Sequence, residues 1–187
     1  CPREPPLSMA VNVSARQLQR PEFITEVKDV LEATAIVPSS LTLELTESVM
    51  MQDMEVSLMR LEALRALGVK LAIDDFGTGY SSLNYVRELP VDILKIDRSF
   101  LADTNPQVEQ MTASIVELAR IFNLKAVAEG VENIDQLSRL EGMQCDYGQG
   151  FHFAKPLSAE EIMAMAVAQP GTANELIGPA AQPPPGA

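Results

Sequence analysis

Short apolar runs alternate with amphipathic helical stretches along nearly the whole chain, and this alternation limits the fold more than any other feature. The runs are Met9 to Ser14, Leu41 to Thr46, Leu71 to Asp75, Val91 to Asp97, Lys125 to Glu129 and Cys145 to Tyr147. Between them the spacing predicts helices. One opens at Pro21 and carries Phe23, Ile24, Val27, Val30 and Leu31 on one side. A second spans Met54 to Leu67, with Leu58, Leu61, Leu64 and Leu67 at helical spacing, and stops at Gly68. Others are expected near Ser82 to Glu88, Val108 to Phe122 and Ile134 to Leu140. A last one runs from Ser158 through Val167, where Glu161 completes a capping box. Strands alternating with helices across short connections make a parallel sheet with covered faces. The fold class is α/β.

Composition narrows the function. The chain has 187 residues, 47% of them hydrophobic, enough for one sizeable core. A net charge of -12 argues against a broad surface for DNA, RNA or an anionic membrane. A small phosphorylated ligand stays allowed, because bound metal ions invert the field of an acidic pocket. No apolar run approaches the ~20 residues of a membrane-spanning helix. Cys1 and Cys145 are too few for a disulfide framework, which fits a reducing cytoplasmic setting. His152 is the only histidine and is expected in a strand or loop, so any metal site must be oxygen-rich and suited to Mg²⁺, Mn²⁺ or Ca²⁺.

Polar residues stand at almost every strand end: Asn12, Glu44, Asp74 with Asp75, Lys95 with Asp97, Glu129 with Glu132, and Gln149. In parallel α/β folds these ends share the face where sites are built. Helix capping accounts for two or three of them, but not for Lys95 within Ile93-Leu94-Lys95-Ile96. A buried lysine is rare unless paired. Carboxylates around one ammonium suggest a two-metal hydrolytic site, with Asp74 and Asp75 flanking ions ~3.5–4 Å apart. Asn12, Glu44 and Asp74 offer oxygens to a hard cation. Lys95 is suited to hold a water or neutralise a phosphoryl oxygen, and Glu129 to act as base. Glu47 is read as an anchor for the Gly77-Thr78-Gly79 loop.

The motifs now have a combined specificity. Asn12-Val13-Ser14, Glu44-Leu45-Thr46-Glu47-Ser48, Asp74-Asp75-Phe76-Gly77-Thr78-Gly79-Tyr80-Ser81-Ser82-Leu83, Leu94-Lys95-Ile96-Asp97, Ala128-Glu129-Gly130-Val131-Glu132 and Gly148-Gln149-Gly150 occur in the order and spacing of the EAL family. The chain closely resembles those bacterial cyclic-di-GMP phosphodiesterase domains from Ser8 to about Val167. The resemblance implies a modified TIM (β/α)8 barrel and Mg²⁺- or Mn²⁺-dependent hydrolysis of cyclic di-GMP to linear pGpG, with two ions per site. It carries metal binding onto Asn12, Glu44, Asp74 and Asp75, and water activation onto Lys95 and Glu129. Glu47 matches the glutamate that steadies the loop after the double Asp. Asp97, Glu132 and Gln149 match further substrate-pocket residues. A homodimer is implied as well, since that loop lies near a dimer interface in such domains.

Two departures stand out. The family's first strand and its Glu-Ala-Leu segment precede the Asn-Val-Ser motif, and nothing here matches them. The barrel is therefore expected to be incomplete, with six of about eight strands. The missing glutamate would be a metal ligand, so these residues alone are expected to catalyse little. The chain reads as part of a longer protein with sensory or cyclase domains. Lys155-Pro156-Leu157 also stands where the family commonly has Arg-Pro. The expected organisation is an entry segment at 1–8, a partial barrel domain at 9–168 and a disordered Pro/Gly/Ala-rich tail at 169–187. The alternative to an enzyme is a catalytically inactive receptor that binds cyclic di-GMP and signals by shape.

Overall fold

The computed structural model describes residues 7–51, 54–78 and 83–168. Its elements are β1 (Met9–Asn12), α1 (Ala15–Leu18), α2 (Phe23–Thr34), a 3-10 turn (Pro38–Ser40), β2 (Leu41–Thr46), α3 (Glu47–Met51), α4 (Met54–Ala66) and β3 (Lys70–Phe76). There follow α5 (Leu83–Glu88), β4 (Ile93–Ile96), α6 (Ser99–Ala102), α7 (Pro106–Ile121), β5 (Lys125–Glu129), α8 (Ile134–Gly142), β6 (Tyr147–Gln149) and α9 (Ala159–Ala168). The strands form one six-stranded sheet in chain order, with β1–β2, β2–β3 and β5–β6 parallel. The entry segment is described only from Leu7 on. The tail at 169–187 and the residues Gly79 to Ser82 lie outside the described residues. Among the described residues no helix is long and apolar enough to cross a membrane.

The chain divides into two compact units. Ser8–Lys95 with Phe122–Leu124 make the N-terminal unit; Ile96–Ile121 and the described residues from Lys125 on make most of the other. In the N-terminal unit, strand alternation sorts the side chains. Leu43 and Leu45 of β2, and Leu71 and Ile73 of β3, are 3% exposed or less. Thr42 and Glu44 alternate with the first two and belong to the opposite face. The helices supply the complement: Leu61 and Leu64 from α4, and Phe23, Val27 and Leu31 from α2. Each such leucine contributes about 1.5–3 kcal/mol by leaving water. Helix α4 stops at Gly68, whose φ of +88° suits glycine and whose N–H donates to the Arg65 carbonyl.

Two sequence expectations need correction here. Helix α2 starts at Phe23, not Pro21, and Val30 is 56% exposed although its spacing put it on the apolar side. Val30 stands seven residues after Phe23, about 20° outside the stripe set by Phe23, Val27 and Leu31, so it marks the uncovered edge of that stripe.

In the C-terminal unit, α7 buries Thr112, Ile115, Val116 and Ala119, and β5 buries Ala126 and Ala128. Small alanines on the strand let the helix approach closely. Asn133 caps α8: its side chain accepts the Gln136 N–H, while the Gln136 side chain accepts the Asn133 N–H. The Gln136 amide then donates to the Leu101 carbonyl at 3.2 Å, tying α8 to α6. The last strand is Tyr147–Gln149, two residues later than its sequence suggests. Cys145 precedes it and is buried, and burial pushes its thiol up to about 11. The expected cap of the final helix is present, with Ser158 Oγ accepting the Glu161 N–H and the Glu161 carboxylate accepting the Ser158 N–H.

Candidate functional site

The N-terminal unit gathers opposite charges near the ends of its strands. Lys95, on β4, is 4% exposed. Its Nζ lies 2.8 Å from Glu44 Oε2 and 2.9 Å from Asp74 Oδ1. Those carboxylates stand two residues before the ends of β2 and β3, and both residues are buried. One ammonium between two acids leaves the trio with one net negative charge, and neither acid is left alone in the interior. Asp74 Oδ1 sits at ion-pair distance from Lys95 without a well-directed hydrogen bond. A buried carboxylate oxygen in that state retains lone-pair capacity for a cation, so the donor chemistry fits a hard metal ion.

The neighbouring positions are less uniform. Asn12 ends β1 opposite Glu44 in the parallel register and is exposed. Asp75 has φ +55°, a left-handed conformation that asparagine and aspartate tolerate better than most residues. It breaks the strand's alternation immediately after Asp74. Thr78 closes the turn, its hydroxyl donating to the Asp75 carbonyl at 2.8 Å. Glu47 begins α3 and is 6% exposed, and its Oε2 has no hydrogen-bond partner among the described residues. Much of the loop it was expected to anchor lies outside the described residues.

The C-terminal unit holds the remaining expected residues. Glu129 ends β5, half-buried, and pairs in register with Gln149 at the end of β6. Val131 N–H donates to the Gln149 carbonyl at 3.0 Å, and His152 N–H to the Val131 carbonyl at 2.8 Å. Glu132 is exposed, its N–H held by the Gln136 side chain at 2.7 Å. Asp97 accepts the Ser99 N–H at 3.0 Å and the Ser99 hydroxyl, at the entry to α6. Slight burial pushes its pKa up, but these bonds outweigh it and hold the carboxyl below its ordinary value. His152 lies in an exposed turn with its ring edge-on to Phe153.

Sequence reasoning passed over Asp92 and Asp146, which bond to the start of the preceding strand in each unit. The available signal was positional: each stands three residues before a polar strand-end residue, Lys95 or Gln149.

Comparison with known proteins places the chain. The EAL domain family model matches residues 2–156. The cyclic di-GMP phosphodiesterase NbdA of Pseudomonas aeruginosa is 44% identical over 153 residues, which are 81% of this chain and 20% of that protein. The chain thus spans about a fifth of that relative's length. The solved structure of the PaMucR phosphodiesterase in complex with c-di-GMP is 43% identical, with a TM-score of 0.80 over 83% of this chain and 64% of that one. BlrP1 of Klebsiella pneumoniae, solved with manganese and cyclic di-GMP, is 30% identical with a TM-score of 0.74, covering 80% of this chain and 39% of that one. The chain belongs to the EAL domain family. Its six strands in chain order match part of the modified TIM barrel found in those structures.

Proposed function

We propose that this chain is the catalytic part of a metal-dependent phosphodiesterase that hydrolyses cyclic di-GMP to linear pGpG. The observation that carries the reading is the buried Lys95 ammonium within 2.9 Å of two carboxylates near strand ends, Glu44 and Asp74. Such a group is costly in a merely structural interior, where an apolar trio of similar volume is often as stable. The names of the relatives support the substrate, and a manganese complex among them supports the metal.

Glu44, Asp74, Asp75 and Asn12 would hold divalent cations. Mg²⁺ or Mn²⁺ fits an all-oxygen set. When bound, the ions would supply charge to the phosphoryl oxygens and lower the pKa of water. The chain's own residues do the rest. Lys95 Nζ donates to the water or to a non-bridging phosphoryl oxygen, opposing the charge that builds there. Glu129 accepts the water's proton as the oxygen attacks phosphorus. The bond from phosphorus to the ribose 3′ oxygen breaks, and that oxygen takes up a proton to give the free hydroxyl of pGpG. Asp97, Glu132 and Gln149 orient the nucleotide, and Glu47 steadies the loop beyond Gly77.

Turnover of cyclic di-GMP with Mg²⁺, measured in a protein that contains this chain and its preceding segments, tests the proposal. We expect pGpG to accumulate, and Glu129→Ala to lower kcat by about 10²–10⁴-fold, the usual contribution of general acid–base catalysis. Tight binding without turnover, the same in both proteins, would make the domain a receptor instead.

A further inference from the structure

Each unit repeats one arrangement of backbone and carboxylate beneath a pair of functional side chains. In the N-terminal unit, Asp92 stands just before β4. Its Oδ2 accepts the Leu71 N–H at 3.0 Å, and its own N–H donates to the Leu71 carbonyl at 2.9 Å. Its other oxygen is 3.5 Å from Arg65. In the C-terminal unit, Asp146 stands just before β6. Its Oδ2 accepts the Ala126 N–H at 3.0 Å, and its Oδ1 takes the Lys125 ammonium at 2.6 Å. That bond and the carboxylate's charge raise the Lys125 pKa. In both cases the carboxylate replaces a main-chain acceptor where the later strand has not yet begun, and a cation holds the carboxylate.

The offsets make the repetition functional. Asp92 and Leu71 are 21 residues apart, the same separation as Lys95 and Asp74 three residues further along the two strands. Asp146 and Ala126 are 20 apart, the same as Gln149 and Glu129, again three residues on. A slip of one residue in a strand sends every side chain to the other face. Slippage of β4 would therefore remove Lys95 from Asp74, and slippage of β6 would remove Gln149 from Glu129.

We propose that Asp92 and Asp146 are positioning residues, each a register clamp that sets the functional pair above it. Asp92 acts on Lys95 through Leu71, and Asp146 acts on Gln149 through Ala126. The clamp needs an acceptor oxygen at one fixed distance from the backbone, and its negative charge serves only to hold it there. The clamps themselves are independent of the reaction, but their catalytic consequence rests on the phosphodiesterase reading.

Amide hydrogen exchange of the chain, followed residue by residue, tests the clamps without any nucleotide. Asp92→Ala should speed exchange at Leu71 by roughly tenfold, the order expected for one net hydrogen bond, and leave Ala126 unchanged. Asp146→Ala should do the reverse. Asp92→Asn keeps an acceptor oxygen and should restore Leu71 protection, along with the Lys95 ammonium resonance that Asp92→Ala displaces. Asp92→Glu, which keeps the charge but moves the oxygen, should behave like alanine and serves if the alanine variant does not fold. Equal acceleration at both amides, or none at either, overturns the proposal, as does a glutamate variant that behaves like wild type. In a protein that turns over cyclic di-GMP, Asp92→Ala should lower kcat more than it changes KM, and Asp92→Asn should recover it. Lost Leu71 protection with unaltered kcat would overturn the positioning role. Absent turnover in every variant with the exchange pattern intact would instead count against the phosphodiesterase reading.

Discussion

Lys95 brings a full charge to the buried face of the sheet that Glu44 and Asp74 share, opposite the one that carries Leu45, Leu71 and Ile73. Its worth is best judged by removal. Lys95→Met keeps much of the apolar stem and deletes the ammonium, leaving Glu44 and Asp74 buried with no opposite charge at 2.8–2.9 Å. Breaking a buried ion pair from one side costs about 3–5 kcal/mol, far more than the packing difference between the two side chains. Urea unfolding at neutral pH should report a loss of that size. A methionine variant as stable as wild type would mean that solvent screens the two carboxylates. Solvent access of that kind would weaken the case for a preorganised site.

At the scale of elements, the turn after β6 is fixed by how closely its backbone approaches the segment after β5. A Cβ built on Gly150 would lie 2.2 Å from the Val131 carbonyl oxygen and 2.3 Å from its nitrogen. Backbone cannot yield as a side-chain tip does, so the turn or the Val131 segment must move. That segment also carries the bonds from Val131 N–H to the Gln149 carbonyl and from His152 N–H to the Val131 carbonyl. Gly150→Ala should therefore destabilise the chain by about 1–3 kcal/mol, the usual range for overpacking, with fraying centred on β6. A thermal melt gives the loss, and amide exchange at His152 locates it. Unchanged exchange there would show that the turn relaxes elsewhere. The Gly148-Gln149-Gly150 motif was legible in the sequence, but the reason for its second glycine was not. A contact distance between two backbones is set by tertiary packing, and neither period nor propensity encodes it.

Taken as a whole, the chain shows its topology in its sequence and conceals its coverage. Six apolar runs separated by helical spacing were enough to place six strands in chain order, because a parallel sheet with short connections has few alternatives. Four-residue helices such as Ser99–Ala102 escaped, since one turn carries no period. The start of β6 was misplaced because Asp146 spends its carboxylate on the Ala126 N–H before pairing begins at Tyr147. Burial of Lys95 was legible from its apolar neighbours, whereas its pairing with Glu44 and Asp74 depends on register, which the sequence leaves open. Exposure was the largest gap: a pattern says which face is apolar, not whether anything covers it. Strand β1 makes the point. Val11 lies opposite Leu43 in the parallel register, yet Leu43 is 3% exposed and Val11 42%. Met9, on the same side of the strand, is 58% exposed. Among the described residues the apolar layer over β2 thus ends before β1, which is also the edge of the sheet. An uncovered apolar edge strand is a template for pairing with another chain. The 187-residue chain should therefore associate as its concentration rises, and Val11→Lys should suppress this while changing stability by no more than about 0.5 kcal/mol, as surface substitutions do. Sedimentation velocity over a concentration series separates the outcomes. Association that persists unchanged in the lysine variant would clear β1 and direct attention to another surface.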